Sequence, residues 1–283
     1  GYTSESKEEF WEENTIVNVW SVTKAVTGAC IAKLISDEKL DINQKVSFYW
    51  PEYGVNGKEN TKVIDFLSHR AGMFGFQEGY PDANWNDWTI YTDALQSQKP
   101  FREPGTTQGY HAVTFAWLVG ELLKRVDGRT VGNYFKDEFA KPLNLDFHIG
   151  LSEDDFYRCA EIGFKKLDGL KPPFDFIKYI PNFILNKDLK NYKETVISKD
   201  FLAAFNSSHF EKNDPNSIDW RTAEVPSANG HGTAKSLSKL FGTLSNDCEK
   251  DGIKIMNPRV INDASNIISS GPDTVLFGSK LNF

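Results

Sequence analysis

The stretch from Thr15 to Asp37 constrains this chain more than any other: a β-branched run, Thr15-Ile16-Val17-Asn18-Val19-Trp20, enters directly into an apolar helix. The run reads as a short strand or extended entry segment. Val22, Val26, Ala29, Cys30, Lys33 and Leu34 then fall at helical spacing, with Ile31 and Ile35 widening the apolar face. Gly28 inside that helix suggests close packing against a neighbour.

Ser21-Val22-Thr23-Lys24 occupies the junction. A serine at a helix start sits where backbone N–H groups are free and the dipole is positive, so negative charge near its oxygen is stabilised. A lysine three residues on shares that face, one turn away. The positive helix end and burial both disfavour its ammonium form. A neutral amine beside a hydroxyl is a base paired with a nucleophile. The spacing alone says little, since roughly one Ser-x-x-Lys is expected by chance at average usage. Here there are four: Ser4–Lys7, Ser21–Lys24, Ser36–Lys39 and Ser236–Lys239. Only Ser21–Lys24 lies inside apolar sequence at a strand-to-helix junction. The competing reading is an ordinary N-cap serine with a solvated first-turn lysine.

Two later stretches carry further information. Pro104-Gly105-Thr106 marks a turn, and Tyr110-His111-Ala112 follows it. A helix then runs through Phe115, Leu118, Val119, Leu122, Leu123 and Val126, with Gly128 at its end. Thr130 caps the next helix, Val131 to Phe139. Earlier, Thr61 is the expected cap of a short helix ending near His69, and Trp88 to Gln96 reads as another. Ser227-Ala228-Asn229-Gly230-His231-Gly232-Thr233 reads as a Gly-rich turn leading into a helix through Leu237, Leu240, Phe241 and Leu244. Met256-Asn257-Pro258 opens a polar, loop-rich run. The aromatic-rich 171–210 segment is an insertion packed on the body, with a lid as the alternative.

The net charge of −7 argues against a nucleic-acid or anionic-membrane binder. No apolar run approaches the roughly 18 residues of a membrane span. Cys30, Cys159 and Cys248 are far apart and odd in number, which favours buried free thiols and an intracellular, cytoplasmic or mitochondrial, soluble protein. Dinucleotide, P-loop, His-Glu-x-x-His and Gly-x-Ser-x-Gly patterns are absent from the sequence. No cofactor or metal is expected.

Ser21-Val22-Thr23-Lys24, Leu67-Ser68-His69 and Gly109-Tyr110-His111-Ala112-Val113, in that order, resemble the serine β-lactamase-like superfamily. That group holds class C β-lactamases, low-molecular-weight penicillin-binding proteins and family VIII esterases. The chain looks most similar to the β-lactamase domain-containing proteins of animals and bacteria, among them a mitochondrial filament-forming member. The resemblance covers essentially all of the chain. It implies an α+β fold: an antiparallel sheet flanked by helices, plus a mostly helical subdomain over 46–143, within a single domain, 1–283. It implies Ser21 as acylated nucleophile, Lys24 as base or proton relay, and Tyr110 as the second-motif tyrosine, its phenol lowered by Lys24. His111 and His231 are expected to line the substrate site. The Ser21 N–H would form half of an oxyanion hole.

Two departures bear on function. The tyrosine motif of class C β-lactamases ends in Asn, and Ala112 stands there, which favours an esterase-like role over antibiotic hydrolysis. The family's third motif, Lys-Thr-Gly or His-x-Gly on a core strand, has no match, and the terminal strands are lacking. The expectation is the core of a longer protein, or a shortened paralogue. The expected activity is hydrolysis of a small ester, amide or peptide through an acyl-enzyme. The alternative is a non-catalytic assembly protein, and a homo-oligomer fits either.

Overall fold

β-Branched Val17 opens the two-residue strand β1 (Val17–Asn18), and one tight turn separates it from helix α1 (Val22–Ser36). The computed structural model describes residues 1–163, 198–205, 214–276 and 278–283, with a few single positions between 181 and 193. The 171–210 insertion lies largely outside the described residues. Short helices α2 (Val46–Tyr49), α3 (Val63–Leu67) and α4 (Trp88–Ser97) follow, then α5 (Phe115–Asp127) and α6 (Val131–Phe135). A π-helical turn over Lys136–Ala140 and the single turn α7 (Lys141–Leu143) lead to strand β2 (Phe147–Ile149). Beyond it come α8 (Lys199–Ala204), α9 (Ile218–Thr222), β3 (Gly230–Gly232) and α10 (Ala234–Ser245). A hairpin of β4 (Glu249–Lys250) and β5 (Ile253–Lys254), helix α11 (Pro258–Ala264) and a hairpin of β6 (Ser270–Pro272) and β7 (Lys280–Asn282) complete the order.

The central sheet has the order β1-β3-β2 and is antiparallel throughout. Its middle strand is the Gly-His-Gly segment that reads as a turn in the sequence. This is a correction, and its cause is steric. A Cβ on Gly230 or Gly232 would come within 2.5 Å of the Phe147 ring of β2, so only glycine lets that ring lie flat on the strand. Thr233 then caps α10, its hydroxyl accepting the Ser236 N–H at 3.1 Å.

Other expectations shift in detail. α3 begins one residue later than expected, with Lys62 rather than Thr61 at the cap position. Space is open where a Cβ on Gly28 would stand, so that glycine marks no close packing. The run from Met256 carries helix α11, capped by Asn257 with Pro258 in its first turn, and then a hairpin. The three cysteines are buried and unpaired.

An aromatic ladder ties the helical layer to β1. Trp117 of α5 stacks on Tyr91 of α4 at 4.1 Å and lies parallel to Trp85 at 6.1 Å. Trp85 meets Trp220 of α9 edge-on at 5.0 Å. Trp220 in turn packs on Trp20 and donates from Nε1 to Asn18 Oδ1 at 2.9 Å. Each such ring pair adds about 0.5–1.5 kcal/mol beyond burial. The ladder carries positional order from α5 to the residue before Ser21. α1 packs against α5, α6 and α11, so the helix is held from three sides. Among the described residues no helix is long and apolar enough to cross a membrane.

Candidate active site

Ser21 stands at the N-cap position of α1, yet its side chain caps nothing. Its backbone is already helical, at φ −67° and ψ −5°, which turns the hydroxyl away from the first-turn N–H groups. Trp20 makes that possible by taking a left-handed φ of +47°. Thr23 holds the bend: its N–H and its hydroxyl both donate to the Trp20 carbonyl, at 2.9 and 2.5 Å. The same hydroxyl accepts the Gly230 N–H at 2.9 Å, fastening the bend to the central strand. Among the described residues the Ser21 N–H has no hydrogen-bond acceptor.

The Ser21 hydroxyl is exposed and lies between two proton-bearing groups. The Tyr110 phenol donates to Ser21 Oγ at 2.8 Å, and Lys24 Nζ is 3.3 Å from the same oxygen. Lys24 Nζ also reaches two carbonyls, Ala112 at 2.7 Å and Ser227 at 2.9 Å, and lies 4.9 Å from the Tyr110 ring centre. Burial lowers the amine to about 7. A neutral amine has two N–H bonds and one lone pair. The two carbonyls take the N–H bonds, which leaves the lone pair for the Ser21 hydroxyl.

Tyr110 behaves differently from expectation. Its phenol is raised, not lowered: burial is the main cause and the charge of Asp273 adds to it, against the hydrogen bond with Ser21. The resting tyrosine is therefore a protonated donor, and the basic member of the group is Lys24.

Both histidines expected at the substrate site lie deep in the fold. His111 and His231 are buried, at 0% and 1% exposure, and neither makes a hydrogen bond to Ser21. His111 Nδ1 donates to the Gly109 carbonyl at 2.7 Å, and its Nε2 accepts the Met73 N–H at 3.1 Å. Both nitrogens are used, and burial lowers the ring to about 3, so it is a neutral brace. His231 sits in the middle of the sheet, opposite Asn18 and His148, and burial lowers it to about 4. His69 ends α3 in a left-handed conformation, its Nδ1 accepting the His111 N–H at 3.1 Å and its ring packed 5.0 Å from that of Tyr110.

Sequence reasoning missed several contributors. Two of the Lys24 partners are backbone carbonyls, which no residue type announces. Thr23 lies inside the motif, and a β-hydroxyl in a first turn is the one visible signal for it. Among the described residues no group of three or more His, Cys, Asp or Glu is placed to hold a metal ion.

Fold and geometry together are those of a serine β-lactamase-like hydrolase class. Residues 1–266 match the Beta-lactamase family, and the chain belongs to it. "Esterase/beta-lactamase LipL" of Mycobacterium tuberculosis is 28% identical over 264 residues, covering 89% of this chain and 56% of that protein. The chain thus spans little more than half the length of that curated relative. A solved penicillin-binding protein homologue from Caulobacter crescentus superposes with a TM-score of 0.83 at 31% identity, covering 100% of this chain and 69% of the other. A family VIII carboxylesterase does so with a TM-score of 0.83 at 28% identity and the same coverage.

Proposed function

We propose that this chain is a serine hydrolase that forms an acyl-enzyme on Ser21, with carboxylic esters as its substrate class. The observation that carries the reading is Ser21 Oγ held between a phenol at 2.8 Å and an amine at 3.3 Å whose burial lowers it to about 7. The relatives named as an esterase and a carboxylesterase support the ester assignment. Ala112, where the class C motif carries an amide, supports it over β-lactams.

The proton movements follow from the hydrogen-bond inventory. Ser21 gives its hydroxyl proton to the Lys24 lone pair as Oγ bonds to the ester carbonyl carbon. The carbonyl oxygen gains the electron pair and lies toward the Ser21 N–H, at the positive end of α1. As that pair returns and the ester C–O bond breaks, Tyr110 protonates the leaving alkoxide. Lys24 restores the tyrosine proton, so amine and phenol are both neutral again in the acyl-enzyme. Water in the leaving group's place then adds its oxygen to the acyl carbon and passes a proton to Tyr110 as the phenol's own proton moves to the Lys24 lone pair. The proton of Tyr110 returns through Lys24 to Ser21 Oγ as the acid leaves.

Fluorophosphonate labelling tests the reading, with Ser21→Ala as control. Labelling that disappears in the variant is the expected result. A folded wild-type chain that neither labels nor hydrolyses a short-chain p-nitrophenyl ester overturns it and favours the assembly alternative.

A further inference from the structure

Tyr110 is anchored from a part of the chain that the hydrolytic motifs do not include. The Asp273 side chain is fully buried in the turn that follows β6. Its Oδ1 accepts three backbone N–H groups: Tyr110 at 3.1 Å, Val275 at 2.9 Å and Leu276 at 2.8 Å. Its Oδ2 has no hydrogen-bond partner among the described residues. One carboxylate oxygen therefore fixes both its own turn and the backbone of the tyrosine.

The surrounding contacts clamp the same two segments together. Gln108 Nε2 donates to the Gly271 and Leu281 carbonyls at 3.2 and 3.1 Å, one on each strand of the β6–β7 hairpin. Its Oε1 accepts the Ser269 hydroxyl at 2.7 Å, and its carbonyl accepts the Thr274 N–H at 3.2 Å. Val275 buries itself with Phe74 and Ala204 beneath Tyr110. Gly109 allows this approach, since a Cβ there would come within 2.9 Å of both Phe74 and Thr274 Oγ1. An extended hairpin with polar strands and exposed edges has little reason to be tied so tightly to a loop unless the loop's position matters.

We propose that Asp273 is a positioning residue for Tyr110, setting through the tyrosine backbone where the phenol stands over Ser21 Oγ. The inference rests on the reading of Tyr110 as the group that protonates the leaving alkoxide. The charge of Asp273 has a second effect in the same direction, since it helps keep that phenol protonated. The other titratable groups against the ring are Ser21 and Lys24 from α1 and His69 after α3, with His111 next in the chain. Burial lowers both histidines, so they stay neutral where the phenol titrates.

The test compares Asp273→Asn, Asp273→Ala, Ser269→Ala and Tyr110→Phe with the parent, following acid release from ethyl butyrate, whose alkoxide needs protonation, across the pH range. Asp273→Ala should lose about 10²-fold in kcat with KM little changed, the size expected for a misplaced reacting group. Asp273→Asn keeps the shape and an acceptor oxygen. It should hold most of its rate near neutrality, while the alkaline limb of its profile moves to lower pH. Ser269→Ala loosens the same hairpin without removing charge and should leave that limb in place. If Asp273→Ala fails to fold, the isosteric Asn variant decides.

Where turnover is too slow to follow, the Tyr110 phenol is titrated directly. The signal is the ultraviolet difference between each protein and its Tyr110→Phe counterpart, and the same downward shift is expected in Asp273→Asn. An unmoved phenol, or an equal shift in Ser269→Ala, overturns the role of Asp273. Full activity in Tyr110→Phe overturns the reading beneath it instead.

Discussion

The Tyr110 phenol donates to the Ser21 hydroxyl across a separation of 89 residues, from the loop ahead of α5 to the first turn of α1. A 2.8 Å contact over that span exists only because α1 and α5 pack directly on each other. It makes the serine an acceptor toward the tyrosine and so turns its own proton toward Lys24.

Ser21→Ala removes the proposed nucleophile and nothing else of structural weight, because the side chain caps no N–H. Ester hydrolysis should fall by at least about 10³-fold, with stability within roughly 0.5 kcal/mol of the parent. Active-site labelling and a thermal melt measured together check both halves.

Lys24 should set the acid limb of the rate profile. The amine is needed neutral, and burial lowers it to about 7 from its ordinary 10.5, so kcat should rise with pH through about 7. The same shift acts on stability. The unfolded chain binds this proton up to about 10.5 and the folded chain only up to about 7, so the folded state is penalised fully below 7. The penalty fades as pH climbs to 10.5. The parent should therefore gain in Tm relative to Lys24→Met between those limits, and a parallel pair of Tm curves would contradict this.

Tyr110→Phe should keep the fold and the ring contacts with His69 and Lys24. Loss of the donor should lower kcat by about 10²–10⁴-fold. The deficit should shrink for esters with better leaving groups, which need no protonation. A Brønsted plot over substituted phenyl esters reads this directly.

Thr23→Val removes the hydroxyl that links the Trp20 carbonyl to the Gly230 N–H. Leaving the buried Gly230 N–H without its acceptor should destabilise the fold by about 1–3 kcal/mol. It should also lower kcat more than it raises KM, because the bend that aims Ser21 loses its brace. Urea unfolding and steady-state kinetics separate the two effects.

Trp117→Ala breaks the aromatic ladder at its centre, where the ring is fully buried. A loss of about 3–5 kcal/mol is expected for such a truncation. Near-ultraviolet circular dichroism should change with it, since Tyr91 and Trp85 lose their stacked partner.

The parts of the fold that were readable are those with a strong period or a cap. α5 shows its buried face in the spacing of Phe115, Leu118, Leu122 and Leu123, and Gly128 ends it with φ +90°. The three-residue strand β3 was not readable, because two glycines and a histidine carry neither alternation nor β-branching. What makes it a strand is Phe147, more than 80 residues earlier. α11 was overlooked although Asn257-Pro258 is a recognisable start. At the site, Ser21, Lys24 and Tyr110 could be named from motif context. The direction of the Tyr110 shift could not, because it depends on burial and on Asp273, 163 residues away. The burial of His111 and His231 was not legible for a related reason: it is set by packing between distant segments.

Lys24 touches Ser227, 203 residues downstream, and it is this late-arriving wall that takes water from the amine. On a ribosome, the serine and the lysine emerge early and together. Until Ser227 follows, the lysine is solvated and carries its proton, and the serine is an ordinary alcohol. On the proposed mechanism, reactivity switches on only when the chain has closed on itself. A nascent or partly unfolded copy should then be chemically quiet, and the appearance of Ser21 labelling during refolding should coincide with the last folding phase rather than the first.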